Sequence, residues 1–417
     1  MRKLAVILLA CSSANAQTDP LLLRLTDGSP ELAAAKAEAG AARAEVWEAR
    51  GAALPQLSVT GQFGTVEETF TVQGAPGSFA ATREPSAVSA SIQQTLFASG
   101  RVMGGIRAAK ASARQSEEEA EAVRQDLLLA GALLMAKLVR DRAVLEERSE
   151  NARLTEGRLS EASARRRAGL ATLTDERQSE ARLALARAEV EAARAQLDAQ
   201  EAAFARLFGF AAPRELTMPS LSTPLPGELE EALNLALRQH PSLGAARERQ
   251  EAARQAVRAA RGATLPQVSL NAEASSADEQ RFGIELGEAE VYSLTVQGRW
   301  DLFSGGSGYA RTRAAGQRRR AAGYLRDAEE RRVREGVQAS WSRLIAARAS
   351  LMAREAQVRA ASLAAEGVAA ELTAGRRTRL DLLDADRERT EAEVALLSAK
   401  ADVTAAEHAL LHAVGGL

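Results

Sequence analysis

The chain has 417 residues, a formal net charge of -1, 26% charged residues and only 4% aromatic ones. Interspersed Arg and Glu at near-zero net charge exclude the basic footprint of a nucleic-acid binder. A text dominated by Ala, Arg, Glu and Leu points to long helices and coiled coils, and the single cysteine, Cys11, excludes a disulfide scaffold.

The N-terminus reads Met1-Arg2-Lys3, then an apolar stretch from Leu4 to Ala10, then small residues ending Ala14-Asn15-Ala16. This is the layout of a secretory signal peptide over 1–16, with the mature chain beginning near Gln17, outside the cytoplasm. Leu8-Leu9-Ala10-Cys11 also has the form of a lipobox, which makes Cys11 a candidate lipid attachment site. No later stretch approaches the roughly eighteen consecutive apolar residues of a membrane helix, so any span must be made of strands.

The chain is written twice. Ser29 to Gly61 returns, without a gap, as His240 to Ala272; Ala49-Arg50-Gly51-Ala52 and Leu54-Pro55-Gln56 recur as Ala260-Arg261-Gly262-Ala263 and Leu265-Pro266-Gln267. So long a period is that of a duplicated, domain-sized module, not a solenoid unit. The expected organisation is a first repeat over 17–208, a linker over 209–227 marked by Pro213, Pro219, Pro224 and Pro226, and a second repeat over 228–417.

Each half is expected to hold a shorter helix, two strands, and a long helix that turns back as another. In the first half Pro30 to Gly51 reads as a helix, started by its proline and ended by its glycine. From Gln56 the period changes to two: Leu57, Val59, Gly61 and Phe63 alternate with Gln56, Ser58, Thr60 and Gln62. Thr71 to Pro85 reads as a loop, and a second strand alternates Val88, Ala90, Ile92 and Leu96 with polar residues. The second half matches, with Val268, Leu270, Ala272 and Ala274 on one strand and Tyr292, Leu294, Val296, Trp300 and Leu302 on the other. All four strands are two-faced; Tyr292 and Trp300 are candidate anchors at a membrane interface.

Arg101 to about Ala168 contains no proline and, as one helix, would be roughly 100 Å long. The return helices carry a three-four seam: Leu183, Ala186, Val190, Ala193, Leu197 and Phe204, then Leu396, Ala399, Val403, Ala406, Leu410 and Ala413. Between each pair of long helices lies a tight tip. Gly169 and Gly375 suit the left-handed helix end, while Thr172 with Asp175 and Thr378 with Asp381 suit a capping box.

Four amphipathic strands cannot close a barrel, since single-chain membrane barrels start at about eight, and an open edge in lipid leaves backbone groups unpaired. Several chains must therefore share one. A secreted coiled-coil structural protein or a periplasmic adaptor would explain the heptads and the leader, but not four alternating strands in two matched pairs.

The duplicated Leu-Pro-Gln strand entry, the Leu-Phe-(Ala/Ser)-(Ser/Gly)-Gly strand exit at Leu96 and Leu302, and the two Ala-Gly tips together resemble the TolC-type outer membrane efflux proteins. The resemblance covers essentially the whole mature chain. It implies a mainly α fold with a membrane β-barrel portion: a homotrimer whose twelve strands form one barrel in the outer membrane lipid, continued by a periplasmic α-helical barrel. It implies the exit duct of a tripartite efflux or type I secretion system, fed by a periplasmic adaptor and an inner-membrane transporter of ABC, RND or MFS type. It also implies that the chain is no enzyme and carries no cofactor.

Aligned to the family's periplasmic gate, Asp381 and Asp384 fall at its two carboxylate positions, Arg377 at its bracing arginine, and Thr174 and Asp175 at the residues that arginine contacts. A gate tyrosine falls at Leu372, so that part of the lock differs. The competing structural reading is that Asp381 and Asp175 cap their helices and that Asp384 pairs with Arg387 one turn on. In the gate reading, three copies of Asp381 and Asp384 form two carboxylate rings that bind cations and titrate above ordinary values. Charges at Arg377, Arg379 and Asp384 appear where the repeats differ, at Ala171, Leu173 and Gln178, which marks them for function. The tips, with Gly169, Leu170, Leu173, Gly375, Arg376 and Arg379, are the expected adaptor-docking surface. His408 and His412 share a helix face but have no third ligand nearby, and no phosphate loop or nucleophile arrangement is present.

Overall fold

The computed structural model describes residues 19–71, 78–221, 223–281 and 284–417; the expected leader and Cys11 lie outside them. Among these residues eight helices and six strands follow one another as α1 Pro20–Gly28, α2 Pro30–Gly51, β1 Gln56–Phe63, β2 Val66–Thr71, β3 Ser78–Arg83, β4 Ser86–Phe97, α3 Arg101–Arg167, α4 Leu173–Phe208, α5 Leu229–Gln239, α6 Pro241–Gly262, β5 Gln267–Arg281, β6 Ile284–Arg299, α7 Ser307–Thr373 and α8 Arg379–Val414. They form two compact units. One spans Ala35–Glu119 with Gly244–Glu329; the other holds the described residues up to Ala34, Ala120–Leu243 and Glu330–Leu417.

The first unit contains the sheet, antiparallel in the order β1-β4-β5-β6. Its register sorts the side chains by chemistry. Leu57, Ile92, Ala272 and Leu294 stand side by side across the four strands, and the next row on that face is Val59, Ala90, Ala274 and Tyr292. The opposite face carries Gln56, Gln93, Asn271 and Thr295, then Ser58, Ser91, Glu273 and Ser293, with the Ser58 and Ser91 hydroxyls 2.8 Å apart. The apolar face is uncovered: Val59 is 69% exposed and Leu294 72%. Such a patch on a sheet needs lipid or a partner.

The expected loop over Thr71 to Pro85 is in part strand. Phe63 pairs with Ser86, and three residues further along both strands Val66 pairs with Arg83, so β2–β3 continues the β1–β4 hairpin in the same register. Pro85, which lacks an N–H, sits at the break and ends the ladder there. The second correction concerns β6, which ends at Arg299; Trp300 and Leu302 lie beyond it, and the Trp300 indole donates instead to the Thr264 carbonyl at 3.3 Å.

In the same unit α3 packs closely on α6. A Cβ on Gly104 would fall 2.7 Å from the Ala259 amide nitrogen, and one on Gly262 would strike the backbone of Ser99 and Arg101. Further along the same pair of helices Arg114 donates to Glu248 at 2.7 Å. Val257 and Ala260 of α6 pack on Ala315 of α7, and Ala42 and Val46 of α2 on Ala113 of α3.

The other unit holds two apolar clusters built on one plan. Leu22 and Leu25 of α1 pack on Leu128, Ala132, Met135 and Leu138 of α3 and on Phe204 and Phe208 of α4. Phe204 stacks on Phe208 at 4.0 Å, and Gly131 leaves room for Leu25, whose Cδ2 would lie 2.7 Å from an added Cβ. In the second half Ala232 and Ala236 of α5 pack on Val333, Val337 and Leu344 of α7 and on Leu410, Leu411 and Val414 of α8. The short helices α1 and α5 were absent from the expected order, yet α1 has a legible start, with Asp19 accepting from the Leu21 amide at 2.9 Å and Pro20 in the first turn.

Candidate functional site at the hairpin tips

Each tip is fixed by the same short text. At the first, Gly169 takes φ 74 and its amide bonds the Arg166 carbonyl at 2.9 Å, while Leu170 N reaches Arg165 O at 2.8 Å. At the second, Gly375 takes φ 73, with Gly375 N to Leu372 O at 3.0 Å and Arg376 N to Glu371 O at 2.9 Å. Only a residue without a Cβ enters this left-handed region without cost. Full capping boxes then start the return helices: Thr172 and Asp175 bond each other's backbone amides at 3.1 and 2.9 Å, and Thr378 and Asp381 do so at 3.2 and 2.9 Å. These amide bonds, followed by those from the threonine hydroxyls, hold the Asp175 and Asp381 carboxyls below the usual aspartate value.

Asp381 therefore caps α8, and within one protomer these bonds move its titration down. The cause is local, because a carboxylate that accepts amide protons is stabilised in its charged form. Asp384 does not pair with Arg387. It accepts from Arg182 of α4 at 2.6 Å, a contact between the two hairpins. Arg377 is bound to Glu371 of its own hairpin at 2.8 Å, and Arg379 crosses to Glu161 of α3. Thr174, Leu170, Leu173 and Arg376 are exposed at the tips.

The Asp384 and Arg379 contacts belong to a ladder that sequence reasoning missed. Further from the tip Arg158 of α3 donates to Asp386 of α8 at 3.1 Å. Next, Arg148 of α3 holds Glu391 of α8 through both guanidinium nitrogens at 3.0 and 3.1 Å, and also Glu189 of α4 at 3.0 Å. Bonding from Arg148 keeps the Glu391 carboxyl below the usual glutamate value. Among the described residues, four arginine–carboxylate pairs thus join the two hairpins of one chain. Partner identity depends on the angle at which the hairpins cross, and no spacing along one helix encodes that. His412 Nε2 donates to the Asp126 carboxylate at 2.7 Å, and among the described residues no group of three His, Cys, Asp or Glu side chains is arranged to hold a metal. No described helix is long and apolar enough to cross a membrane.

The family profile described as Outer membrane efflux protein matches the chain twice, over residues 21–210 and 232–416. The chain belongs to this outer membrane efflux protein family. It is 31% identical, over 80% of its length and 73% of the relative's, to the outer membrane efflux protein BepC of Brucella suis biovar 1 (strain 1330). It is 29% identical to the alkaline protease secretion protein AprF of Pseudomonas aeruginosa, covering 96% of this chain and 86% of that one. Among solved structures, the outer-membrane channel OprN superposes with a TM-score of 0.80 at 23% identity, covering 95% of this chain and 89% of that one. CusC superposes with a TM-score of 0.83 at 19% identity over 95% and 91%. The fold is that of the TolC-type channels, mostly helical with a few antiparallel strands; the protein is an outer-membrane efflux channel and not an enzyme.

Proposed function

We propose that three copies of this chain assemble into the exit duct of a tripartite efflux or type I secretion system. The observation that carries this reading is the sheet of four strands, which has one apolar and one polar face and leaves β1 and β6 as edges. An edge in hydrocarbon leaves amides and carbonyls unpaired, each at a cost of several kcal/mol, so the edges must meet those of neighbouring copies. The polar rows then line a water-filled lumen and the apolar rows face lipid. A homotrimer of such sheets gives the twelve strands of the family's barrel.

In this reading the hairpin tips meet a periplasmic adaptor, and the adaptor meets an inner-membrane transporter that selects the cargo. Exposed Leu170, Leu173 and Arg376 offer the docking surface, and Gly169 and Gly375 hold its shape. The gate is carried by Asp381, Asp384 and Arg377 with Thr174 and Asp175, and the capping boxes of Asp175 and Asp381 aim the two tips. The ladder from Arg182 and Glu161 to Arg148 is the intrachain latch that an opening motion must break.

The test is channel formation. Protein extracted from outer membranes should migrate in a heat-modifiable way, have the native mass of a trimer, and give defined conductance steps in planar bilayers. A monomer without conductance overturns the proposal. Crosslinking from Leu173→Cys or Arg376→Cys to a co-expressed adaptor tests the docking surface; crosslinks confined to mid-helix sites count against it.

A further inference from the structure

The end of α8 is gripped by the first half of the chain. Arg124 of α3 donates to the Leu417 main-chain oxygen at 2.5 Å, Gln125 donates to the Gly415 carbonyl at 3.2 Å, and Asp126 accepts from His412 at 2.7 Å. Leu417 packs against both apolar clusters, so this grip is the seam between the two halves. One turn before His412 stands His408, only 2% exposed. Its Nδ1 lies 2.8 Å from the Thr404 carbonyl, which only accepts, so Nδ1 carries the proton and Nε2 of the neutral ring is an acceptor. That acceptor is buried and has no partner among the described residues. Such atoms are rare in folded proteins, because the cost of taking them out of water is left uncompensated.

The His408 ring lines a cavity of about 60 Å³ together with Arg124 and Leu128 of α3, Leu22 of α1 and Leu417; the exposed Leu23 and Ser220 form its mouth. An apolar cavity of roughly 150 Å³ holds benzene, so in proportion this one has room for about two to four heavy atoms. Arg124 spends Nε and Nη2 on Glu121 and Leu417, and its Nη1 hydrogens are the donors that remain.

We propose that this cavity is a binding site for a small neutral hydroxyl compound, a short-chain alcohol, whose O–H donates to His408 Nε2 and whose carbons lie against Leu22, Leu128 and Leu417. The polar groups select this class. A carboxylate has no proton to give Nε2 and would meet Glu121, which already holds Arg124. An ammonium group would stand beside the Arg124 guanidinium, and a ketone or ether only accepts. A hydroxyl does both things the cavity asks: it donates to the imidazole and accepts from Arg124. The site shares no residue with the hairpin tips, and its occupant ties α1, α3 and α8 together at the seam of the halves.

The chain has three histidines, so the full-length protein labelled with carbon-13 in the histidine rings gives three ring signals to follow by NMR, with His408→Gln assigning the one that matters. At about pH 8.5, above the ordinary histidine range, 2-propanol should shift the His408 signal along a saturating curve with a midpoint of roughly millimolar order, while those of His240 and His412 stay in place. Acetone has the same skeleton without the hydroxyl hydrogen and should need at least about tenfold more for the same shift. Ser220→Trp fills the mouth and should abolish the saturating shift; Leu23→Trp serves if that variant fails to fold. A shift that is linear in alcohol and shared by all three rings is a solvent effect and overturns the proposal. Equal response to acetone, or a shift that survives in the mouth variants, overturns it as well. No shift at all means that the cavity takes ordered water only, which also overturns it.

Discussion

Arg148→Ala should open the duct. Arg148 is 14% exposed and joins Glu189 of its own hairpin to Glu391 of the other, these partners being 22% and 45% exposed. A hydrogen bond to a charged group contributes about 1.5–3 kcal/mol when desolvated, and a fully exposed ion pair about 0.2–1 kcal/mol. The half-buried Arg148–Glu391 link lies between these, at about 1–2 kcal/mol per protomer. If the three hairpin pairs of a trimer part together, the latch contributes about 3–6 kcal/mol, or roughly two to four decades in the open-to-closed ratio at 1.4 kcal/mol per decade. Open probability in planar bilayers measures this, with Arg148→Lys as the control that keeps charge but loses the two-pronged geometry. The pH dependence has a definite sign. Glu391 has its folded value depressed by bonding from Arg148, so its contribution is present above the ordinary glutamate range and lost as pH falls through the depressed value. The wild type should therefore open on acidification, and Arg148→Ala should flatten that response. An intact trimer whose open probability is unchanged by Arg148→Ala refutes the latch.

Asp384→Asn removes the more exposed Arg182 contact and should open the channel less than Arg148→Ala, while weakening block by multivalent cations; unchanged block removes Asp384 from the gate. Phe204→Ala deletes a ring that is fully buried and stacked on Phe208 at 4.0 Å, and should cost about 3–5 kcal/mol, read as a lower unfolding midpoint in denaturant. Gly375→Val forces a branched side chain to φ 73 and should destabilise the second tip by about 1–3 kcal/mol, seen as faster local hydrogen exchange around residues 372–381. Asp175 and Asp381, both depressed first by the Thr172 and Thr378 backbone amides and then by the threonine hydroxyls, support the tips above the ordinary aspartate range and release them as pH falls through the depressed values; exchange at the tips should quicken there, and Thr172→Ala with Thr378→Ala, which keeps the amide bonds, should weaken the change.

The tips were legible because their determinants are local. A glycine in the left-handed region, a threonine before the return helix and an aspartate three residues on act on backbone groups within one turn, so the text predicts the geometry whatever surrounds it. The same holds for Pro30 to Gly51, for the seams of α4 and α8, and for the alternation of β1, β4 and β5. The interrupted hairpin was harder, since Gly64-Thr65 facing Glu84-Pro85 has the composition of a loop and only cross-strand pairing carries the ladder past it.

By itself the sequence determined the repeat, the element types, the two faces of each strand and the conclusion that one chain cannot close a barrel, because periodicity and turn chemistry depend on neighbours along the chain. Tertiary structure decided which strand lies beside which, that Asp384 answers to Arg182 and Arg379 to Glu161, and that Arg148 ties two hairpins together. Those partners come from segments hundreds of residues apart, and their meeting depends on helix crossing angles and strand register that only the packed molecule sets.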